Sequence, residues 1–185
     1  MDVREAILSR RTHKHWTGEP VPRVVLEDLL ELARWAPNHR LTNPWRFAVM
    51  PAEALARYGE HVRQNLAAYA GTKPGAAEAI REKLEKMLPK LGAVIIVGCQ
   101  VDPDPKIHAE DRDACAAACQ NILLGATARG LASFWSTGAL LTSPPAKAFY
   151  GFGDNVVLVG AICLGTAADT PQSKREPLEG KVRWL

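Results

Sequence analysis

The run Ala93-Val94-Ile95-Ile96-Val97, set between Gly92 and Gly98, constrains the fold of this chain more than any other segment. It is continuously apolar, β-branched and too short for a buried helix, so it fits a central strand buried on both faces. A strand without a polar face needs cover on each side, and the remaining sequence offers helices. Val3, Ala6, Ile7 and Leu8 suggest a short one at the amino terminus. A second is marked by Pro22 at its first position, by the stripe Leu26, Leu29, Leu30 and Ala33, and by Pro37 at its end. Residues 52–70 and 74–88 read as two helices separated by Gly71-Thr72-Lys73. The segment Asp102-Pro103-Asp104-Pro105 reads as turn material before a long Ala-rich helix from about His108 to Arg129. Further strands are expected at 45–50, 131–135 and 156–164, with a short helical piece at 143–150 between the last two. Strands separated by helices indicate a mixed α+β or α/β domain whose helices cover a central sheet.

Several function classes are disfavoured by what the chain lacks. Its 185 residues suit one domain, able to bury about 70% of the surface its unfolded form exposes. A net charge of +3 is modest for a nucleic-acid binder, so positive charge is better sought in a local site than in a global field. No apolar run reaches the roughly 18 residues of a membrane span, and Met1-Asp2-Val3-Arg4-Glu5 offers no signal-peptide core, so a cytoplasmic location is expected. Cys99, Cys115, Cys119 and Cys163 sit in apolar or Ala-rich surroundings and read as reduced core residues. Cys115 and Cys119 share a helix face, but no second pair completes a zinc-like set, and no metal is expected. No strand runs into a Gly-x-Gly-x-x-Gly turn; Gly151-Phe152-Gly153 precedes a strand and reads as a plain turn.

The basic segment Arg10-Arg11-Thr12-His13-Lys14-His15-Trp16 carries forked guanidinium donors, an ammonium and a hydroxyl, the parts needed to hold a phosphate. The alternative is that cations at the end of a short helix face its negative C-terminal end and are otherwise solvated.

Taken together, several segments resemble the FMN-dependent nitroreductase family, in particular its small single-domain branch. They are Arg10 to Trp16, Ala36-Pro37-Asn38-His39 with Asn43-Pro44-Trp45, Phe134-Trp135-Ser136-Thr137-Gly138, Gly165-Thr166, and the tail Lys174-Arg175-Glu176-Pro177-Leu178-Glu179. The resemblance covers nearly the whole chain as one FMN-binding domain. It implies an α+β fold with a central mixed, mainly antiparallel sheet flanked by helices, in a homodimer with an exchanged C-terminal tail. It also implies FMN as cofactor and NADH or NADPH as electron donor. The expected activity is a ping-pong reduction of electron-poor substrates such as nitroaromatics or quinones through flavin N5. Arg10, Arg11 and Thr12, with Arg175 from the tail, are expected at the FMN phosphate and ribityl chain. Lys14 is expected at the pyrimidine edge, where an ammonium stabilises the charge that reduction develops. Pro37, Asn38 and His39 match a loop that meets FMN from the other subunit, and Trp135, Ser136, Thr137 and Gly138 match the stretch along the isoalloxazine. The stretch Gly125, Ala126, Thr127, Ala128, Arg129, Gly130 resembles a region that meets the nicotinamide nucleotide, while a helix end closed by Gly130 explains it equally well.

The chain departs from the family pattern at His39, Leu41 and Asn43, at Ser173 where a lysine is common, and at Trp35, where the small branch often has arginine. Trp35 either alters the flavin edge or caps the second helix with a core contact. His39 is read as a binding residue, with proton donation as its alternative. A flavin-binding storage or redox-sensing module is the rival to an enzyme, and a different phosphate ligand or nucleic acid is the rival to flavin.

Overall fold

The apolar run at 93–97 becomes a central strand of a four-stranded sheet in the computed structural model, which describes residues 1–185. The strands are β1 (Trp45–Pro51), β2 (Ala93–Gln100), β3 (Ala132–Ser136) and β4 (Val156–Gly165), arranged β1-β2-β4-β3. Every strand pair is antiparallel. The parallel pairing of the expected mixed sheet is reduced to one isolated bridge, Thr12 to Ser133.

Alternation along β2 explains why its sequence is apolar throughout. Val94 and Ile96 enter one core cluster, whereas Ala93, Ile95, Val97 and Cys99 enter another on the opposite face. The second cluster is closed by α2 (Arg23–Arg34) and α6 (Pro105–Ala128), through Leu26, Leu29 and Ala33 against Cys115, Ala118, Cys119, Ile122 and Ala126. Gly125 lets these helices approach: a Cβ there would lie 2.6 Å from Leu32 Cδ1 and 2.9 Å from Leu29 Cδ2. The first cluster is closed by α3 (Ala52–Gln64), α4 (Leu66–Ala70), α5 (Ala76–Lys86), α7 (Ala139–Thr142) and α8 (Pro144–Phe149). The amino-terminal helix α1 (Val3–Ser9) buries only Ala6; Val3, Ile7 and Leu8 are exposed.

Local chemistry accounts for where element boundaries differ from expectation. The helix expected over 52–70 breaks at Asn65, whose side-chain amide donates to the His61 carbonyl at 2.8 Å and competes with the helical ladder. The long helix begins earlier than expected, because Asp104 is its N-cap, accepting from the Lys106 N–H at 2.8 Å, and Pro105 occupies the first position. Pro22 is the N-cap residue of α2 rather than its first helical one. At the end of α6, Gly130 at φ 73° donates to Thr127 O and Leu131 to Ala126 O, a double closure that a left-handed residue permits. The four-residue α7 has no counterpart in the sequence reading.

The tail from Ala168 onward forms no helix or strand, and Leu178, Val182, Trp184 and Leu185 are exposed. No helix is long and apolar enough to cross a membrane. Ile95 has no exposed surface and sits against both neighbouring strands and the helical cover. Ile95→Ala is expected to lower the unfolding free energy by about 2–5 kcal/mol, read from urea denaturation.

Candidate active site

After α1 the chain runs extended over residues 12–17 and is tied to the sheet at two points. The His13 N–H donates to Ser133 O at 3.0 Å; further on, Thr17 donates to Thr166 O at 3.1 Å and His15 O accepts from Ala168 at 3.2 Å. Side chains alternate along an extended segment, so Lys14 and Trp16 face one way and His13 and His15 the other. Lys14 and Trp16 enter a cavity of about 460 Å3 whose other walls are Phe134 to Gly138, Leu140 and Leu141, Lys83 of α5 and Met87 at the C-terminal end of that helix.

The β3 end of this cavity is fixed from several directions. The indole of Trp135 lies so close over Gly160 that any Cβ there would collide with it. Ser136 Oγ accepts from the Gly138 N–H at 3.3 Å, and Thr142 Oγ1 donates to the carbonyls of Thr137 at 3.0 Å and Gly138 at 3.1 Å. Beneath, the Tyr58 hydroxyl donates to Leu140 O and the Tyr150 hydroxyl to Leu141 O, the latter at 3.0 Å. Burial pushes the phenol of Tyr58 far above its ordinary range, so it remains a donor. The N–H of Thr137 makes no hydrogen bond within the chain.

The electrostatics of the lining are one-sided: it holds two ammonium groups, Lys14 and Lys83, and no carboxylate. Lys83 stands between the Arg81–Glu78 and Lys86–Glu82 pairs on α5 and joins neither. Its Nζ lies 3.8 Å from where a Gly138 Cβ would be, at the far end of the β3 turn. Lys83 and Met87 were not singled out by the sequence. Their four-residue spacing on a helix whose inner face is Ile80 and Leu84 was the available signal.

The other expected site residues lie elsewhere on the single chain. Arg11 Nη1 donates to Leu8 O at 2.8 Å and Arg10 O at 3.0 Å, capping the end of α1 as the helix-end alternative anticipates. Arg10 is half-buried at the start of the same segment, and Thr12 makes the bridge to Ser133. Arg175 is exposed in the tail, bonded to Ser173 Oγ and to Lys174 O. Pro37, Asn38 and His39 line a separate open hollow against α6, with His39 Nδ1 2.6 Å from Glu110 Oε2. That contact holds the Glu110 carboxyl below its usual range. Just beyond, Arg40, Leu41 and Asn43 all adopt positive φ, a strained conformation for such residues, and Leu41 is 77% exposed.

Trp35 is the C-cap residue of α2, but its side chain is 72% exposed rather than in core contact. It donates to Glu31 Oε1 at 2.9 Å under the guanidinium of Arg34. Within 125–130, Gly125 and Ala126 are buried in the α2–α6 contact, and Arg129 is committed to Asp28 and to Gly125 O. Packing and capping account for Gly125, Ala126 and Gly130, while Gly125, Ala128 and Arg129 also border an open hollow of about 400 Å3 with Leu32 and Trp35. Across the strand segment from Lys14, Asp169 meets both histidines, His15 Nδ1 at 2.6 Å and His13 Nδ1 at 3.6 Å.

Fold and cavity define a class of single-sheet α+β protein with a cationic, aromatic-walled cleft suited to a planar ligand that carries or develops negative charge. The chain belongs to the nitroreductase family, whose sequence profile matches residues 7–166. It is 32% identical over 183 residues to YfhC of Bacillus subtilis, named as an NAD(P)H nitroreductase, covering 97% of this chain and 92% of that protein. A nitroreductase-like family protein from Bacillus cereus superposes with a TM-score of 0.85 at 26% identity, covering 100% of this chain and 96% of that one. A nitroreductase with bound FMN from Bacteroides fragilis gives a TM-score of 0.76 over 100% of this chain and 99% of that one; its 22% identity speaks to the fold.

All four cysteines are free and buried, away from the cavity lining. Burial pushes Cys119 and Cys163 up to about 12, and Cys115 is also raised, first by the neighbouring Cys99 thiol and then by burial. Cys99 is lowered by the neighbouring Cys115 thiol but has no exposed surface. Ellman's reagent at pH 8 is therefore expected to titrate none of the four in the native protein and all four after denaturation.

Proposed function

We propose that the chain is an FMN-dependent NAD(P)H oxidoreductase reducing electron-poor acceptors such as nitroaromatics or quinones, acting as a cytoplasmic homodimer. The observation that carries this reading is the cavity with two ammonium groups, no carboxylate and an unpaired peptide N–H at Thr137. Its volume falls within the roughly 300–1,000 Å3 of small-molecule and cofactor sites. Trp16 in its wall has a buried indole N–H with no partner in the chain, a donor consistent with a polar ligand. When bound, FMN supplies a two-electron relay from the nicotinamide donor to the acceptor.

The chain's residues have distinct tasks in this reading. Lys14 and Lys83 offset negative charge at the polar edge of the ring, in a cleft partly shielded from water, where a fixed charge is worth more than in solvent. Phe134, Trp135 and Met87 supply apolar walls that exclude water, and the Thr137 N–H offers a donor to the ring along the β3 turn. Arg10 and Thr12 hold the phosphate end, with Arg11 and Arg175 joining them on assembly. Pro37, Asn38 and His39 are contributed to the partner's site, with Trp35 near its rim. Uncovered apolar groups support assembly: Leu41 on the strained loop, and Leu178, Val182 and Trp184 on the irregular tail, all await burial. An exchanged tail would supply that cover.

Purified protein is expected to be yellow and to bleach with NADH or NADPH under anaerobic conditions. A yellow protein reduced by neither donor would favour the storage module, and a colourless one that cannot be reconstituted with FMN would exclude both. Lys14→Ala and Lys83→Ala should each weaken FMN binding to the apoprotein by about tenfold, near 1.4 kcal/mol, read by flavin fluorescence quenching.

A further inference from the structure

Lys14 has no restraint of its own. Neither its peptide N–H nor its carbonyl makes a backbone hydrogen bond, and the ties of segment 12–17 fall on its neighbours, at His13 on one side and at His15 and Thr17 on the other. The opposite face of the segment adds side-chain contacts to those backbone ties. His13 and His15 both turn to a single carboxylate, with His15 Nδ1 2.6 Å from Asp169 Oδ2 and His13 Nδ1 3.6 Å from Asp169 Oδ1. The His13 nitrogen is buried and has no hydrogen-bond partner, so Asp169 is the carboxylate it faces. Asp169 is itself anchored, since the preceding Ala168 donates to His15 O and Ala167 bridges Trp16. His15 holds the Asp169 carboxyl below its usual range, which keeps it ionised.

Two side-chain contacts two residues apart, a hydrogen bond at His15 and a longer approach at His13, lie along the axis of the segment and oppose rotation about it more than one contact would. We propose that Asp169 is a positioning residue for Lys14: by engaging His13 and His15 together it fixes the roll of the segment and aims the lysine between them into the cavity. The inference rests on the reading of Lys14 as the cation that meets the flavin. It assigns a task to a tail-proximal carboxylate and two histidines that lie outside the cavity lining.

The test is a double-mutant cycle on the whole protein, titrating FMN into the apoproteins of the wild type, Lys14→Ala, Asp169→Ala and the double variant. Asp169→Ala should weaken FMN binding by about threefold to tenfold, and the double variant should bind no more weakly than Lys14→Ala alone, because nothing is then left to aim. Losses that multiply, or wild-type affinity in Asp169→Ala, would overturn the proposal. Asp169→Asn keeps an oxygen acceptor for His15 and should stay within about twofold of wild type; a loss equal to that of Asp169→Ala would make the effect one of charge and overturn positioning. Should Asp169→Ala not fold, His15→Gln takes its place with the same non-additivity expected. A second readout needs no flavin: hydrogen exchange at the bonded His13 and Thr17 amides of the apoprotein should speed up in Asp169→Ala, and unchanged exchange would overturn the clamp. A wild-type protein that takes up no FMN would remove the flavin reading, and the exchange measurement would still decide whether Asp169 restrains the segment.

Discussion

Burial of both faces of β2 is the constraint on which the rest of the structure depends. An antiparallel sheet often leaves one face to water, but Val94 and Ile96 on one side and Ile95 and Val97 on the other have no exposed surface. Two helical layers follow from that. The α2–α6 layer is close-packed, with small residues where the helices meet, and it serves as a platform. The opposite layer is made of shorter helices, and between its elements and the end of β3 a cleft is left open.

The cleft is chemically one-sided because no acidic side chain of the surrounding segments enters its walls. Glu78 and Glu82 on α5 face their own basic neighbours, Glu110 faces His39 and Asp169 faces the two histidines, and none enters the lining. Lys14 and Lys83, separated widely in sequence, approach the same space from the sheet side and the helix side. A site made this way depends on tertiary packing more than on any contiguous motif.

That dependence sets what was legible in the sequence. The central strand could be read because its apolar run has no other good explanation, and the family resemblance led to Lys14 and to Trp135 through Gly138, which do meet in one cavity. Arg11 illustrates the opposite case: its residue type suits a phosphate equally with the helix-end carbonyls it touches in the single chain. The break at Asn65 left no Gly or Pro to announce it, since it rests on one side-chain amide reaching a carbonyl four residues back. The start of α6 was visible in Asp104-Pro105 as a cap followed by a first-position proline, yet the neighbouring Asp102-Pro103 made the whole stretch look like a turn. Lys83 was hidden in a polar helix because its role is set by which way α5 lies. Asp169 was hidden because nothing in an aperiodic tail tells one carboxylate from another.

The two tyrosine hydroxyls under the cavity give it a stiff side and a pliant one. The helix α7 is too short to persist alone, and its carbonyls at Leu140 and Leu141 are fastened to the aromatic core by Tyr58 and Tyr150. That floor cannot move without releasing buried hydrogen bonds, so changes there register first as loss of stability. Lys83, by contrast, is a long, exposed, unbranched side chain of α5 that joins no ion pair and can change rotamer without disturbing Ile80 or Leu84. Variation in what the pocket accepts can therefore accumulate along α5, while the floor keeps the same shape for every occupant.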